Sequence, residues 1–388
     1  MPAARTETRP TSNLHAAWAR FWQRVSEGQQ VNQLWSQLQK DARSSYRLYS
    51  AELEDREAGQ TRLQHIWTVT RTLFWAILEK LTPVRRVLLL LGMILVVFPA
   101  GGFTYTNRAG HVEVFSLDLH VWGALLIFIV LLLELADRVV MKRDLEIAKD
   151  IQGWLLPGAP LQIPGYEIAY ATRPANTVAG DYYDVILRPG ATASEGRILF
   201  VVADVAGKSI PAAMLMATFQ ASLRTLCDTR TALEDILTSL NRYVSGNSQG
   251  GARFTTAFLA ELDPATGDIR YVNAGHNAPM LKRASGAQER LEIGGIPLGI
   301  LPDAAYLAGT TRLGNGDWLV VFTDGVVEAL NSYGDEYGEA RLNGVFDGVL
   351  SIAPAEMLRR LLASLDAFAA NTPQHDDMTC LLLKRKAA

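Results

Sequence analysis

Cysteine is scarce in this sequence, because the 388 residues contain only Cys227 and Cys380. The two cysteines lie in unrelated contexts, so no disulfide framework, CxxC pair or zinc-type spacing is present. Neither lies in a loop that resembles a phosphate cradle, and Cys380 belongs to an apolar run typical of a buried strand. The sequence therefore gives no support to a cysteine nucleophile, and it fits a reducing compartment.

An excess of positive charge is also missing. The formal net charge is −3, which gives no electrostatic reason to expect nucleic-acid binding. The charge is uneven, however, since residues 1–86 hold 13 Lys and Arg against 8 Asp and Glu. The first 20 residues have no apolar core, which argues against a cleavable signal peptide. A basic part followed by an acidic part is typical of a membrane-facing segment joined to a soluble domain.

Long uncharged apolar runs occupy residues 87–103 and 121–133. A helix that crosses ~30 Å of hydrocarbon needs roughly 20 mainly apolar residues, and the first run extends to a span of 87–106. We therefore expect a transmembrane helical hairpin over 84–136, with a buried hairpin in a soluble protein as the alternative. Positive residues flank the outer ends of the hairpin, so both termini are expected in the cytoplasm and the short loop between the helices outside.

The rest of the chain divides around this hairpin. Residues 1–83 are predicted to form a cytoplasmic helical region, and residues 137–158 a helical linker that ends at a cluster of prolines. Residues 159–388 change to alternating strands, helices and glycine-rich turns, which predicts a soluble α+β domain. The position of the linker suggests a homodimer contact and a route for regulating that domain.

Four aspartates lie at the ends of apolar, strand-like runs. They are Asp181, Asp204, Asp324 and Asp376. One such aspartate is commonly only a turn or cap residue, but strand ends meet at one edge of a sheet. Carboxylates that meet there repel one another unless a cation neutralises them. Oxygen ligands without paired histidines or cysteines favour Mg²⁺ or Mn²⁺ over zinc.

Short links between strands favour antiparallel pairing in this domain. Residues 258–263 and 269–273 are strand-like and are separated by a Pro–Gly turn, which predicts a β-hairpin. Pro354 is expected at the first turn of a helix that runs to about Ala370. These patterns indicate an α+β sandwich rather than a doubly wound parallel sheet.

Several motifs in a fixed order resemble the PPM family of metal-dependent serine/threonine phosphatases, and most closely its bacterial branch with SpoIIE and RsbU. The motifs are AGDYYD at 179–184, DVAGKSIPAA at 204–213, TTAF at 255–258, NAGHN at 273–277, PLG at 297–299, TDGVVE at 323–328 and DDMT at 376–379. One acidic motif recurs by chance, but the ordered set spans more than half of the chain. The resemblance implies an αββα sandwich with two metal ions.

The resemblance also implies roles for the aspartates. Asp204 is similar to the carboxylate that bridges both ions, and the carbonyl of Val205 to a further ligand. Asp181 corresponds to a ligand of the first ion or of its water, and Asp324 and Asp376 to ligands of the second. Two Mn²⁺ or Mg²⁺ ions would then activate a water for attack on phosphorus, so no covalent nucleophile is required.

Some residues keep open roles at this stage. Asp184 and Asp377 either bind metal or support the metal ligands. His276 is favoured as a buried hydrogen-bonding residue over a proton donor. Arg173 is a candidate for binding the phosphate group. The chain also departs from the family pattern, because Ala179 and Ser209 stand where glycine is usual. These substitutions put the local backbone geometry in question.

The sequence therefore predicts a membrane-tethered phosphatase that removes phosphate from serine or threonine of a cytosolic regulatory protein. The resemblance makes an anti-sigma-factor antagonist the favoured substrate. A catalytically silent scaffold of the same fold is the alternative, and metal binding separates the two. A nucleotide cyclase is not supported, because no nucleotide-binding motif follows Tyr182-Tyr183-Asp184.

Overall fold

The structure is a computed structural model of the whole chain. It describes residues 71–72, 74–76, 78–97, 101–106, 112–188, 196–228, 232–248, 253–347, 351–370 and 372–387. Two compact units are present, 1–137 and 138–388, and each is described by itself. Most of the expected helical region 1–83 lies outside the described residues, so that expectation remains a prediction.

The described part of the N-terminal unit includes two helices joined by a β-hairpin. These elements are α1 (Pro83–Val97), β1 (Gly101–Thr106), β2 (Val112–Leu117) and α2 (Leu119–Leu155), whose C-terminal part belongs to the second unit. The two helices lie close together at Gly92 and Gly123, where a Cβ on Gly123 would lie 2.7 Å from the Gly92 carbonyl. Arg85 near the start of α1 forms ion pairs with Glu134 and Asp137 of α2. The predicted helical hairpin is therefore present as a pair of packed helices.

Membrane crossing by both helices is not confirmed. Within the described ranges, α2 alone is long and apolar enough to cross a membrane, with a mean hydropathy of 2.4 over its 18-residue window, of which 11% is buried. The predicted first span of 87–106 is helical only to Val97 and becomes strand from Gly101. Helix α1 has 15 residues, or about 22 Å of length. Gly101 and Gly102 begin β1, and glycine disfavours helix.

The C-terminal unit contains two antiparallel sheets. Its strands are β3 (Tyr166–Arg173), β4 (Tyr182–Arg188), β5 (Arg197–Val205), β6 (Thr255–Leu262), β7 (Asp268–Ala274), β8 (Met280–Lys282), β9 (Gln288–Arg290), β10 (Gly294–Gly295), β11 (Gly309–Arg312), β12 (Trp318–Phe322) and β13 (Met378–Arg385). The first sheet has the order β10-β7-β6-β5-β4 with β11 beside β7, and the second has the order β3-β13-β12-β8-β9. Among the strand pairs of the described residues, the short β10–β7 pair alone is parallel.

Helices cover the outer face of each sheet. They are α3 (Ser209–Cys227), α4 (Leu233–Gly246), the single turn α5 (Asp324–Val327), α6 (Gly338–Phe346) and α7 (Pro354–Ala369). Alternating residues of β5 explain this layering, because Leu199 and Val201 face α3 and α4, whereas Phe200 faces the second sheet. A third core joins the second sheet to α6 and α7. The result is the predicted αββα sandwich.

Local sequence signals fix several of these elements. The predicted β-hairpin is confirmed as β6 and β7, with Phe258 opposite Asn273. Pro354 is the first residue of α7, where its missing N–H costs no hydrogen bond. Both cysteines are buried, and burial raises the pKa of Cys380 to about 12. Neither thiol is therefore suited to nucleophilic chemistry.

Candidate active site

Each sheet brings two of the four predicted aspartates to the same edge of the sandwich. In the first sheet, Asp204 lies near the end of β5 and Asp181 directly precedes β4, and the pairing of Tyr182 with Ala203 places them side by side. In the second sheet, Asp324 follows β12 and Asp376 precedes β13. Antiparallel pairing of adjacent strands puts the end of one beside the start of the next, which explains the convergence.

The electrostatics of these carboxylates show that they are close neighbours. Burial raises the pKa of Asp204 to about 7, and the charges of Asp324 and Asp376 add to the effect. Asp181 is only 2% exposed, and burial followed by the charge of Asp204 holds its pKa well above the usual range. Burial and Asp376 also raise the pKa of Asp324. Carboxylates that repel one another in this way gain stability from a bound cation.

A threonine joins the two sheets at the site. The Thr323 hydroxyl donates to Asp181 Oδ2 at 2.9 Å, and Thr323 Oγ1 accepts from the backbone N–H of Thr379 at 2.9 Å. Asp181 belongs to the first sheet, whereas both threonines belong to the second. Thr323 thus fixes the orientation of a carboxylate across the sandwich, a role that its position before Asp324 did not reveal.

Asp377 supports the site through the backbone. Its two carboxylate oxygens accept from the N–H groups of Ala175 and Gly180, at 2.7 and 2.6 Å. The Asp377 carbonyl also lies so close to Gly325 that an added Cβ there would approach it to 2.0 Å. The glycine of the TDG motif is therefore required by close backbone contact, and Asp377 anchors the loop that carries Asp181.

Asp184 lies away from the cluster and is held by other partners. Arg224 of α3 donates to it from Nε and Nη2 at 2.8 and 2.9 Å, and the Tyr182 hydroxyl donates at 2.5 Å. The carboxylate is fully buried. This arrangement ties α3 to β4, which gives Asp184 a structural role in the second half of the GDYYD motif.

His276 and Arg173 also have structural partners. His276 is buried, its Nδ1 lies 3.0 Å from the Thr256 hydroxyl, and burial lowers its pKa to about 4. Asn273 accepts from the His276 N–H at 2.7 Å and closes the turn of the NAGHN motif. Arg173 donates to both oxygens of Asp366, at 2.5 and 3.3 Å. The favoured buried role of His276 fits this geometry, and Arg173 is occupied by an ion pair.

Two contacts near the site had no clear sequence signal. Lys208, in the loop after β5, donates to the His375 carbonyl at 2.5 Å and lies 3.3 Å from Asp376 Oδ2. Gln152, near the C-terminal end of α2, accepts from the Ala179 N–H at 2.9 Å and donates to its carbonyl at 2.7 Å. Both contacts join segments far apart in sequence, so hydrophobic periodicity could not predict them.

The groups at this edge are oxygen donors, the type of ligand that hard divalent cations prefer. Within the described ranges, no three acidic, histidine or cysteine side chains are close enough to hold an ion. The neighbouring groups are nevertheless carboxylates from Asp181, Asp204, Asp324 and Asp376, with the Val205 carbonyl beside them, 3.0 Å from the Cβ position of Gly180. Such oxygen donors suit Mg²⁺ or Mn²⁺.

Comparison with known proteins agrees with the fold. The SiaA-PP2C domain of Pseudomonas aeruginosa superposes with a TM-score of 0.53 at 21% identity, over 64% of this chain and 98% of that chain. The PP2C phosphatase domain of SpoIIE from Bacillus subtilis, solved with a fragment of its regulatory domain, gives a TM-score of 0.50 at 17% identity, over 58% of this chain and 64% of that one. At these identities the likeness concerns the fold.

Sequence comparison defines the family. Residues 194–386 match the family described as Stage II sporulation protein E (SpoIIE). Phosphoserine phosphatase RsbU of Bacillus subtilis is 29% identical over 247 residues, which cover 63% of this chain and 71% of RsbU. Protein IcfG of Synechocystis is 25% identical over 272 residues, covering 63% of this chain but only 42% of IcfG.

The fold, the acidic edge and these matches define a PP2C-type phosphatase domain. Within that class, residues 194–386 match the SpoIIE family and the chain is similar to RsbU.

Proposed function

We propose that this chain is a metal-dependent protein phosphatase that hydrolyses phosphoserine or phosphothreonine on a regulatory protein. The observation that carries the proposal is the meeting of Asp181, Asp204, Asp324 and Asp376 at one edge, where burial and mutual repulsion raise the pKa values of the first three. These four residues and the Val205 carbonyl would hold two Mn²⁺ or Mg²⁺ ions. When bound, such ions lower the pKa of a water and neutralise phosphoryl oxygens.

The chain's own residues prepare this site. Thr323 orients Asp181 by a hydrogen bond, and Asp377 fixes the adjacent loop by accepting from Gly180. Burial of the carboxylates keeps bulk water away from one side of the cluster, which strengthens electrostatic interactions there. The substrate class is supported by RsbU, which is itself described as a phosphoserine phosphatase. An anti-sigma-factor antagonist remains the proposed substrate.

We also propose that the domain is tethered to the bacterial inner membrane and faces the cytoplasm. The support is α2, whose apolar window is mostly exposed, and the apolar surface of α1, with exposed residues such as Val87 and Ile94. Exposed apolar surface of this extent is typical of a membrane or protein contact. A homodimer through the 137–158 linker remains a prediction.

The test of activity compares two aspartate variants of the purified full-length chain in detergent. The wild type should release phosphate from phosphoserine peptides when Mn²⁺ or Mg²⁺ is added. Asp204→Asn should abolish release, because one carboxylate of the cluster is lost. Asp228→Asn should not, because Asp228 follows the far end of α3, whose 19 residues put it about 28 Å along the helix from the site.

Two outcomes would contradict the proposal. Equal hydrolysis by wild type and Asp204→Asn would show that the assigned carboxylates are not the site. A wild-type chain that neither hydrolyses phosphopeptides nor binds Mn²⁺ in a calorimetric titration would favour the alternative, a silent scaffold of the same fold.

A further inference from the structure

Lys208 places a positive charge at the edge of the acidic cluster. Its ammonium donates to the carbonyl of His375 at 2.5 Å and lies 3.3 Å from Asp376 Oδ2. The side chain remains 53% exposed, so it is accessible to a ligand from solvent. Among the ion pairs of the described residues, this pair alone involves a carboxylate of the cluster. Lys208 is therefore a cation placed beside the proposed reaction site.

The backbone around Lys208 is strained, and a strained backbone is typical of a functional segment. Gly207 has φ of 120° and Ser209 has φ of 65°, while Lys208 between them is extended with φ of −134°. A left-handed conformation is unfavourable for a residue with a side chain, because Cβ then lies too close to a backbone carbonyl oxygen. Ser209 adopts it although glycine would do so freely. The loop thus keeps Lys208 at the site at a cost in stability.

The charge balance of the site leaves room for one more cation. Five carboxylates surround it, from Asp181, Asp204, Asp324, Asp376 and Asp377. Two divalent ions would balance four of these charges, and a phosphate monoester then adds about −1.5 to −2 at pH 7. An excess of negative charge would oppose substrate binding. A neighbouring ammonium would reduce that excess.

Arg173 is the other candidate for a cation that binds phosphate, but it already forms an ion pair. Arg173 donates two hydrogen bonds to Asp366. Lys208 instead contacts the His375 carbonyl and the Asp376 carboxylate. The Asp376 carboxylate would be a ligand of a bound metal ion. Lysine also has a flexible stem, so its ammonium can move a short distance without moving the backbone.

We propose that Lys208 binds the phosphoryl group of the substrate, and this rests on the proposed phosphatase function. Its ammonium moves from Asp376 to the phosphoryl oxygens when Asp376 binds a cation. Lys208 thereby becomes the residue that determines affinity for the phosphate dianion. A charge-assisted hydrogen bond of this kind is shorter and stronger than a neutral one.

The test measures binding of inorganic phosphate to the full-length chain in Mg²⁺, by isothermal titration calorimetry. Lys208→Met should weaken phosphate binding about 10- to 100-fold, because it removes a hydrogen bond to a charged group. Lys208→Arg should restore most of the affinity. Lys149→Met, which removes an exposed lysine on α2, is the matched control and should bind phosphate as the wild type does.

Two results would overturn the inference. One is unchanged phosphate affinity in Lys208→Met; if Mg²⁺ binding also tightens, Lys208 is only a counter-ion of Asp376. The other is a wild type that does not bind phosphate at all. A wild type that binds phosphate through Lys208 but hydrolyses no phosphopeptide would leave this inference standing and would overturn the proposed function instead.

Discussion

At the scale of single residues, the site combines carboxylates that repel one another with small residues that allow close backbone approach. Asp204 and Asp181 are held in a buried position that disfavours their charged forms. Gly325 lets the turn after β12 contact the Asp377 carbonyl. These features lower local stability, as is common at active sites, and they suit the proposed binding of a cation and a phosphate.

The raised pKa of Asp204 predicts an unusual pH dependence of stability. An acid whose pKa rises from its ordinary value to about 7 holds its proton more tightly in the folded state, so folding loses stability as pH rises from about 4 through about 7. Without divalent ions, the Tm of the full-length chain should therefore fall between about pH 5 and pH 8. Asp204→Asn should reduce that fall in a thermal scan. The same slope in both proteins would contradict the assignment.

Glycine substitutions test the backbone contact at the TDG motif. Gly325→Ala should destabilise the chain strongly, because its Cβ would meet the Asp377 carbonyl at 2.0 Å and neither backbone can move freely. Gly344→Ala is the matched control, since Gly344 lies within α6 with nothing within 4 Å of its Cβ position. It should stabilise by about 0.5–1 kcal/mol. Urea denaturation measures both, and a neutral Gly325→Ala would show the contact is not needed.

At the scale of elements, the C-terminal end of α2 is attached to the loop that carries Asp181. The buried side chain of Gln152 satisfies both the N–H and the carbonyl of Ala179, as a paired strand would. Helix α3 is attached to β4 in a comparable way, through Arg224 and Asp184. Side chains rather than backbone ladders therefore fix these helices next to the site.

Gln152→Ala tests the attachment of α2. The substitution leaves two buried backbone groups without partners, and each such group costs about 1–3 kcal/mol. We expect a lower free energy of unfolding and reduced phosphatase activity, because Ala179 lies two residues before Asp181. Lys149→Ala, an exposed change on the same helix, should alter neither. If urea denaturation and phosphopeptide hydrolysis of Gln152→Ala match the wild type, the contact has no role in positioning the loop.

At the scale of the whole molecule, an apolar helical pair precedes a sandwich with its own cores. The described surface of α1 and α2 exposes many large apolar side chains, whereas apolar residues of the sandwich fill three layers. The proposed membrane tether rests on this contrast between the two parts of the chain.

Carbonate extraction of bacterial membranes tests the tether. The full-length chain should remain in the membrane pellet, and the double variant Leu131→Lys, Leu132→Lys should be extracted, because lysine near the centre of a span costs about 2.5–3.5 kcal/mol per residue. The matched control is Val139→Lys, Val140→Lys, whose residues are also exposed but lie beyond the apolar run. It should stay in the pellet. Extraction of the wild type would exclude a membrane-spanning α2.

The sequence by itself predicted the αββα sandwich, the β6–β7 hairpin, the start of α7 and the four aspartates at one edge. These features depend on local residue patterns and on the order of the motifs, and both can be read directly from the sequence. The extension of the first span to residue 106 was wrong, because Gly101–Thr106 forms a strand paired with β2, and hydropathy does not reveal that pairing.

Only the tertiary structure decided which polar groups meet. Asp184 and Asp377 lie in similar acidic motifs, yet one pairs with Arg224 and the other accepts backbone N–H groups. Lys208 contacts the loop before β13, which is 167 residues away in sequence. Contacts between distant segments depend on how the two sheets stack, and the stacking is set by the whole core rather than by any one motif.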